Sequence, residues 1–233
     1  MAPQGAEDIE MTPIMYSTRT HNTGNMIFVS IMRLVTTLGI VSVLTACALG
    51  DRATAPTQLD LGAGAFAGAG SAATAALPEM PPIVVPPANS ASLLTETTVV
   101  WRVGDQGQPQ AFATYRWVAP PARLVTQRIV DRLSLQGAVL GQNFGGDVPQ
   151  LRLNLQRFEQ TFSTDGVSSQ AQLTLQAVLM RGSEVISQRL INIRVPAATQ
   201  DAPGGALALR TATDQAAEQV AQWITSVRGV KTR

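Results

Sequence analysis

Two side chains in this sequence could act as a strong nucleophile or a nitrogen or sulfur ligand: a single cysteine, Cys47, and a single histidine, His21. A zinc site needs three or four Cys, His or carboxylate ligands, and a nucleophile usually needs a neighbouring base. The carboxylates are scattered along the chain. Asp214 and Glu218 are four residues apart in a predicted helix, but they lie off its apolar stripe, where a solvated face is expected. We therefore expect no enzyme activity, no metal site and no cofactor.

The surroundings of Cys47 indicate covalent lipid attachment. Arg33 precedes an apolar run from Leu34 to Leu44, and small residues follow, which is the layout of a secretory signal. The end of this run resembles the bacterial lipobox, in which the cysteine is diacylated and becomes the first residue of the mature chain: Leu44, Thr45, Ala46 and Cys47. A transmembrane anchor is the alternative. It needs about 20 apolar residues, whereas Arg33 before this run and Asp51 and Arg52 after it leave a shorter apolar stretch.

The chain divides into four segments by composition. Residues 1–31 are acidic where a signal should be basic, so we interpret them as an over-extended start, with a disordered extension as the alternative. Residues 32–46 are the predicted signal peptide. Residues 47–92 combine the lipidated Cys47 with a tether rich in Ala, Gly and Pro, which contains candidate short strands at 58–61 and 83–85. The folded domain is predicted over 93–233.

The charge balance excludes one class of partner. Seventeen basic and sixteen acidic side chains leave a net charge of +1, and charged residues make up 14% of the chain. No broad positive field is present to attract a polyanion, so nucleic-acid binding is not expected. No Gly-x-x-x-x-Gly-Lys-Ser/Thr loop occurs either, so any ATP hydrolysis must take place in another protein.

Periodic patterns predict an α+β fold. Alternating apolar residues predict a hairpin over 97–103 and 111–117, with Trp101 and Tyr115 facing the core. They also predict a three-stranded antiparallel meander from 151 to 195, with a bulge at Arg157. Apolar residues at helical spacing predict helices to Gln136 and over 206–227. The order β-β-α-β-β-β-α indicates a mixed, largely antiparallel sheet with two helices packed on one face.

Two residues are candidates for a partner surface. Trp117 ends a strand just before Pro120, where an aromatic ring could be presented to a partner, with a core role as the alternative. Arg123 belongs to a polar face of the first helix that we expect to be solvated, and such a face could also contact an acidic partner or lipid headgroups. The other members of that face are Gln127, Arg128, Asp131 and Arg132.

The lipobox, the Pro-rich lead and two motifs together resemble a known family. The first motif is a strand at Leu93–Arg102, and the second combines an aromatic strand with a Pro-initiated helix at Tyr115–Arg123. These are similar to the ABC-type transport auxiliary lipoproteins, the paraquat-inducible-protein-C-like partners of MCE lipid transporters. The resemblance extends from about residue 59 to the end of the chain.

The resemblance implies a periplasmic domain anchored to the outer membrane by lipid. Its partners would be an ABC permease, an ATPase and an MCE-domain protein that moves lipids, and either one copy or a homo-oligomer would be consistent with the sequence. Ala48 after the lipidated cysteine supports the outer membrane, because Asp at that position retains lipoproteins in the inner membrane of enterobacteria. The alternative is a structural outer-membrane assembly lipoprotein that takes no part in lipid transport.

Overall fold

The structure, a computed structural model, describes residues 55–62, 79–142 and 147–227. Helix α1 spans Pro121–Leu133, helix α2 spans Ala202–Ser226, and a short 3-10 helix spans Ser92–Leu94. The strands in these ranges are named along the chain as β1 Thr57–Leu59, β2 Ile83–Val84, β3 Asn89–Ser90, β4 Thr98–Val103, β5 Gln110–Trp117, β6 Val139–Leu140, β7 Gln150–Phe162, β8 Ser169–Arg181 and β9 Glu184–Pro196.

The predicted meander is formed by the three longest strands, β7, β8 and β9. Strand β8 pairs antiparallel with β7 on one side and with β9 on the other. Leu151, Leu155 and Leu175 are buried because every second residue faces the helices. The register shifts between Leu155 and Arg157, which confirms the predicted bulge. This shift turns Phe158 to the inner face, where it is 1% exposed.

The remaining strands extend the sheet from the other edge of β7. Three strands pair with that edge one after another, all parallel to β7: β2 at Gln150, β3 at Asn154 and Leu155, and β4 at 160–162. Strand β6 pairs parallel with β2. Strand β5 pairs antiparallel with β4, and β1 adds to β5 in parallel. The result is the mixed α+β sheet that the sequence predicts.

Both helices contribute buried apolar residues to the core on one face of the sheet. Helix α1 has Pro121 in its first turn, and its buried stripe contains Val125, Ile129 and Leu133. In α2 small residues predominate along the buried face, so its backbone can lie close to the strands: Ala208, Leu209, Ala212, Ala216, Ala217 and Val220. This packing explains why the inner-face residues of β8 are almost fully buried.

The helices differ from the predicted ones at their ends. Helix α1 ends at Leu133 instead of Gln136, and the chain then turns through Gly137. A Cβ at Gly137 would collide with the carbonyl oxygen of Met80, whose N–H donates to Gln136 O at 2.8 Å. Helix α2 begins at Ala202, four residues before the predicted start, because Asp201 caps it by accepting from Gly204 N at 2.8 Å.

The hairpin of β4 and β5 is less buried than predicted. A register shift between Thr98 and Val100 interrupts the alternation, and Val99 and Val100 are both buried. Beyond the shift, Trp101 is half-buried and Val103 at the strand end is 43% exposed. Tyr115 on β5 is also half-buried and packs against the core from its margin.

Candidate functional site

The predicted lipid-attachment residues precede the part of the chain that the structure describes. Cys47 and the lipobox residues Leu44, Thr45 and Ala46 lie outside the described residues. The first described segment, 55–62, contains β1 and continues to Leu61, which is 2% exposed. The sequence places this segment in the tether with a candidate strand at 58–61, and the structure has β1 at Thr57–Leu59, where it pairs with β5 as an edge strand of the sheet.

An arginine fastens this segment to the helices. Arg128 of α1 donates from Nη1 to the carbonyl oxygen of Gly62 at 2.6 Å and from Nη2 to that of Leu61 at 2.9 Å. Its Nε lies 2.7 Å from Oδ1 of Asp214 on α2, and the Arg128 side chain is only 2% exposed. One guanidinium thus joins β1's continuation, α1 and α2.

A second ion pair lies one turn further along both helices. Arg132 Nε donates to Glu218 Oε2 at 2.6 Å, and Arg132 Nη1 donates to Gln136 Oε1 at 2.8 Å. The hydrogen bond from Arg132 lowers the pKa of Glu218, whereas burial raises the pKa of Asp214 despite the nearby Arg128 guanidinium. The two arginines are buried because they lie between the helices.

This interhelix seam corrects the prediction of a solvated helix face. Arg128 and Arg132 are buried, and Asp214 and Glu218 are their partners on α2. The spacing of four residues on each helix was visible in the sequence. The pairing of the arginines of α1 with the carboxylates of α2 could not be seen in the sequence, because it depends on how the two helices cross.

Of the two candidates for a partner surface, Trp117 is buried and Arg123 is exposed. Trp117 is 1% exposed, and its ring packs at a tilt against that of Phe158, with 5.5 Å between the ring centroids. Its ring is therefore part of the core and is inaccessible to a partner, which corrects the interface expectation. The Arg123 side chain is exposed on α1 and makes no hydrogen bond or ion pair to any described residue.

An aromatic cavity lies at the end of the sheet near the β7–β8 turn. The Trp101 ring packs edge-on against Phe162 at 5.6 Å and lies 6.0 Å from Phe112. These rings line an open cavity of about 460 Å³ together with Val103, Ala111, Ala113, Ser163, Thr164 and Gly166. No lining side chain carries a charge, so this cavity offers an apolar surface.

A polar cluster occupies the outer face of the meander, the side away from the helices. We call it the Asp105 cluster, and it contains Asp105, Arg157, Gln172 and Arg194. Gln172 donates to Asp105 Oδ1 at 2.9 Å, while Arg157 and Arg194 lie 3.4 and 3.5 Å from its two oxygens. The hydrogen bond from Gln172, with the charges of Arg194 and Arg157, lowers the pKa of Asp105. The sequence prediction missed this cluster because the four residues are far apart in the chain.

Two further observations concern membrane-spanning helices and metal ligands in the described ranges. Within residues 55–62, 79–142 and 147–227, neither helix is long and apolar enough to cross a bilayer. The same ranges contain no group of three or more His, Cys, Asp or Glu side chains placed to bind a metal ion together.

Comparison with known proteins assigns the chain to a family. The sequence model of the ABC-type transport auxiliary lipoprotein component family matches residues 66–221, more than half of the chain. The chain belongs to this family. Members of the family are auxiliary lipoproteins of ABC-type transport. This protein is therefore a membrane-anchored lipoprotein associated with an ABC transport system.

Solved structures share the fold of this auxiliary lipoprotein. Protein XCC0632 from Xanthomonas campestris, of the DUF330 family, is 19% identical with a TM-score of 0.58, and the match covers 72% of this chain and 92% of that one. An uncharacterized protein is 18% identical with a TM-score of 0.54, covering 64% and 95% of the two chains. At these identities the likeness concerns the fold alone. No curated protein matches the chain.

Proposed function

We propose that the protein is a lipoprotein anchored to the periplasmic face of the outer membrane, where it serves an MCE-type ABC lipid transport system without catalysing a reaction. The family match over 66–221 carries this proposal. The lipobox at Cys47 and Ala48 after it support the anchor and its membrane. A lipid-anchored domain with a permanent hold on one membrane could position the soluble parts of a transporter whose permease is in the other.

The partner assignment is tested by a pull-down from detergent extract followed by mass spectrometry. Recovery of an MCE-domain protein, a permease or an ATPase supports the transport role. Recovery of only outer-membrane or peptidoglycan machinery would favour the alternative, a structural assembly lipoprotein. Gene deletion should also sensitise cells to detergents if lipid transport to the outer membrane fails.

Arg123 is our candidate for a contact with the partner. Its side chain is exposed on α1 and its guanidinium has no partner among the described residues, so a charge reversal there should weaken docking without unfolding the domain. Arg123→Glu in the same pull-down should recover less of the transporter subunits. Arg189→Glu is the matched control, since Arg189 is an exposed arginine on β9. Equal recovery from both variants would remove Arg123 from the interface.

The anchor has its own test, independent of the partner. Cys47→Ser should abolish palmitate labelling and leave an unprocessed precursor, whereas wild type is labelled and found in outer-membrane fractions. Ala48→Asp should keep the lipid but move the protein to the inner membrane in an enterobacterial host. If Cys47→Ser and wild type fractionate alike, the protein is not a lipoprotein of the proposed type.

The segment boundaries follow from the same proposal. We propose that residues 1–31 are dispensable, that 32–46 are the signal, and that 47–92 lead to the domain over 93–233, with β1, β2 and β3 joining its sheet from the lead. A gene that starts at Met32 should give the same processed protein as the full gene. Loss of export from the shorter gene would show that the upstream residues are required.

A further inference from the structure

The Asp105 cluster brings donors from three strands together on one carboxylate. Arg157 comes from β7, Gln172 from β8 and Arg194 from β9, and Gln172 and Arg194 are cross-strand partners. Asp105 comes from elsewhere, on the turn after β4. Gly104 in that turn has φ +61, a backbone conformation that favours glycine, and its N–H donates to Phe162 O at 2.8 Å. The turn thus holds an anion over donors that belong to the meander.

The donors exceed what the two nearby carboxylates balance. Glu159 is buried and is already engaged, since Arg102 Nη2 donates to its Oε2 at 2.8 Å and Arg157 contacts its Oε1. Three arginines, Arg102, Arg157 and Arg194, therefore face two carboxylates, Asp105 and Glu159, and one positive charge is left over. This excess would favour an added anion on the outer face.

An open cleft adjoins the cluster and is lined by its three donor residues, Arg157, Gln172 and Arg194. It has a volume of about 470 Å³, and its charged lining side chains are Arg157 and Arg194. Gln172, Thr174 and Asn192 add amide and hydroxyl groups to its wall. Gln172 is 3% exposed, so its amide is held in place by the surrounding sheet. Two guanidinium groups beside fixed polar groups suit an anion with several oxygens, because each guanidinium presents paired donors.

Asp105 accepts one short hydrogen bond, from Gln172, but its contacts with the arginines are long. Its contacts with the arginines are 3.4 and 3.5 Å long, and its side chain is 48% exposed. A surface ion pair of this kind contributes little to stability. A ligand with more oxygens could therefore displace the carboxylate from Arg157 and Arg194 without disrupting the fold.

We propose that the cleft is a binding site for a phosphate group and that Asp105 occupies its donors when no ligand is bound. The phosphate could be free or could belong to a lipid headgroup, since both present the same anionic oxygens. Only the headgroup source rests on the proposed role in lipid transport. The phosphate site itself does not depend on the transporter, so its test is independent of the test of the transporter partners.

The test compares binding of two probes to the purified full chain by calorimetry: inorganic phosphate and monomeric dihexanoyl phosphatidylglycerol. Because Asp105 competes with the ligand, Asp105→Ala should tighten binding about fivefold, the effect of removing one exposed competing charge. Arg194→Ala should weaken it about tenfold or more, since a charge-assisted hydrogen bond is lost. Both effects should shrink at high salt.

Two variants keep the result interpretable. Asp105→Asn removes the charge but retains an acceptor for Gln172, so it serves if Asp105→Ala does not fold. Glu184→Gln changes the net charge equally at an exposed position on β9 outside the cluster, and it should leave binding unchanged. Binding of phosphate alone supports the site with free phosphate as its source, and binding of the lipid supports a headgroup.

Two results would overturn the proposal. The first is the absence of binding of either probe by both wild type and the Asp105 variants. The second is binding that Asp105→Ala leaves unchanged or weakens, or that Arg194→Ala leaves unchanged.

Discussion

Helix α2 packs against two neighbours, and the two contacts have opposite chemistry. Towards the sheet it presents residues that are apolar and no more than 1% exposed: Leu209, Ala212, Ala216 and Val220. Towards α1 it presents Asp214 and Glu218, which pair with Arg128 and Arg132. The carboxylates are 20% and 42% exposed, so the ionic seam lies where water still reaches one side of each pair.

The difference shows that the two contacts do separate tasks. Apolar packing against the sheet removes surface from water and has little directional preference. The ion pairs are directional, and Arg128 also binds the carbonyl oxygens of Leu61 and Gly62. We infer that the sheet contact supplies most of the stability, whereas the ionic seam fixes the helix register and the path of the chain before the domain.

The largest expected effect comes from truncating the sheet side. Leu175 is fully buried on β8, the central strand of the meander, and Leu175→Ala should lower the free energy of unfolding by about 2–5 kcal/mol through lost contacts and a cavity. Denaturant unfolding followed by circular dichroism measures this. Gln176→Ala is the control, because the next residue faces the outer side and should cost less than about 0.5 kcal/mol. Similar costs for the two variants would contradict the assignment of faces.

An intermediate effect is expected at the ionic seam. Arg128→Met keeps much of the apolar stem but leaves the carbonyls of Leu61 and Gly62 without donors, which should cost about 1–3 kcal/mol. Protease cleavage near Leu61 should also accelerate, because the segment loses its attachment. Arg128→Lys keeps the charge without the guanidinium geometry, so its free energy of unfolding should lie between those of Arg128→Met and wild type. If Arg128→Met has the same free energy of unfolding and the same cleavage rate near Leu61 as wild type, the seam does not hold the segment.

The sheet side of this comparison could be predicted from the sequence. Alternation in β7 and β8 predicted which leucines are buried, and the slip at Arg157 predicted the bulge. These signals are local, because successive residues of a strand face opposite sides whatever the strand pairs with. The capping signal at Asp201, before Ala202 and Pro203, was also present in the sequence and would have given the start of α2.

The ionic seam and the Asp105 cluster could not be predicted in the same way. Polar residues on α1 looked solvated because nothing in one sequence says that a second helix crosses over Arg128 and Arg132. Asp105 meets Arg194 only because the β4 turn lies over the outer face of a strand far along the chain. Because Trp117 ends a strand, the sequence allows both a partner surface and a core position for it, and the contact of its ring with Phe158 shows that it lies in the core.

The smallest effect, and the one that separates the two ion pairs, is in the pH dependence. The Arg132 hydrogen bond lowers the pKa of Glu218 in the folded state. The stabilisation from this pair is therefore present above the pKa of the unfolded state, about 4.3, and is lost as pH falls through the lowered pKa of the folded state. Glu218→Gln should therefore cost about 0.5 kcal/mol or less at neutral pH, since the side chain is partly exposed. The cost should disappear in acid.

Asp214 should show the opposite dependence on pH. Burial raises its pKa, so its contribution to stability is present below the unfolded value and is lost as pH rises through the raised folded value. Thermal melts of wild type, Glu218→Gln and Asp214→Asn between acid and neutral pH measure both. As pH rises, wild type should gain stability relative to Glu218→Gln and lose it relative to Asp214→Asn. If the difference in stability from wild type changed with pH in the same way for both variants, the two ion pairs of the seam would be electrostatically equivalent. The opposite pKa shifts of Asp214 and Glu218 would then be wrong.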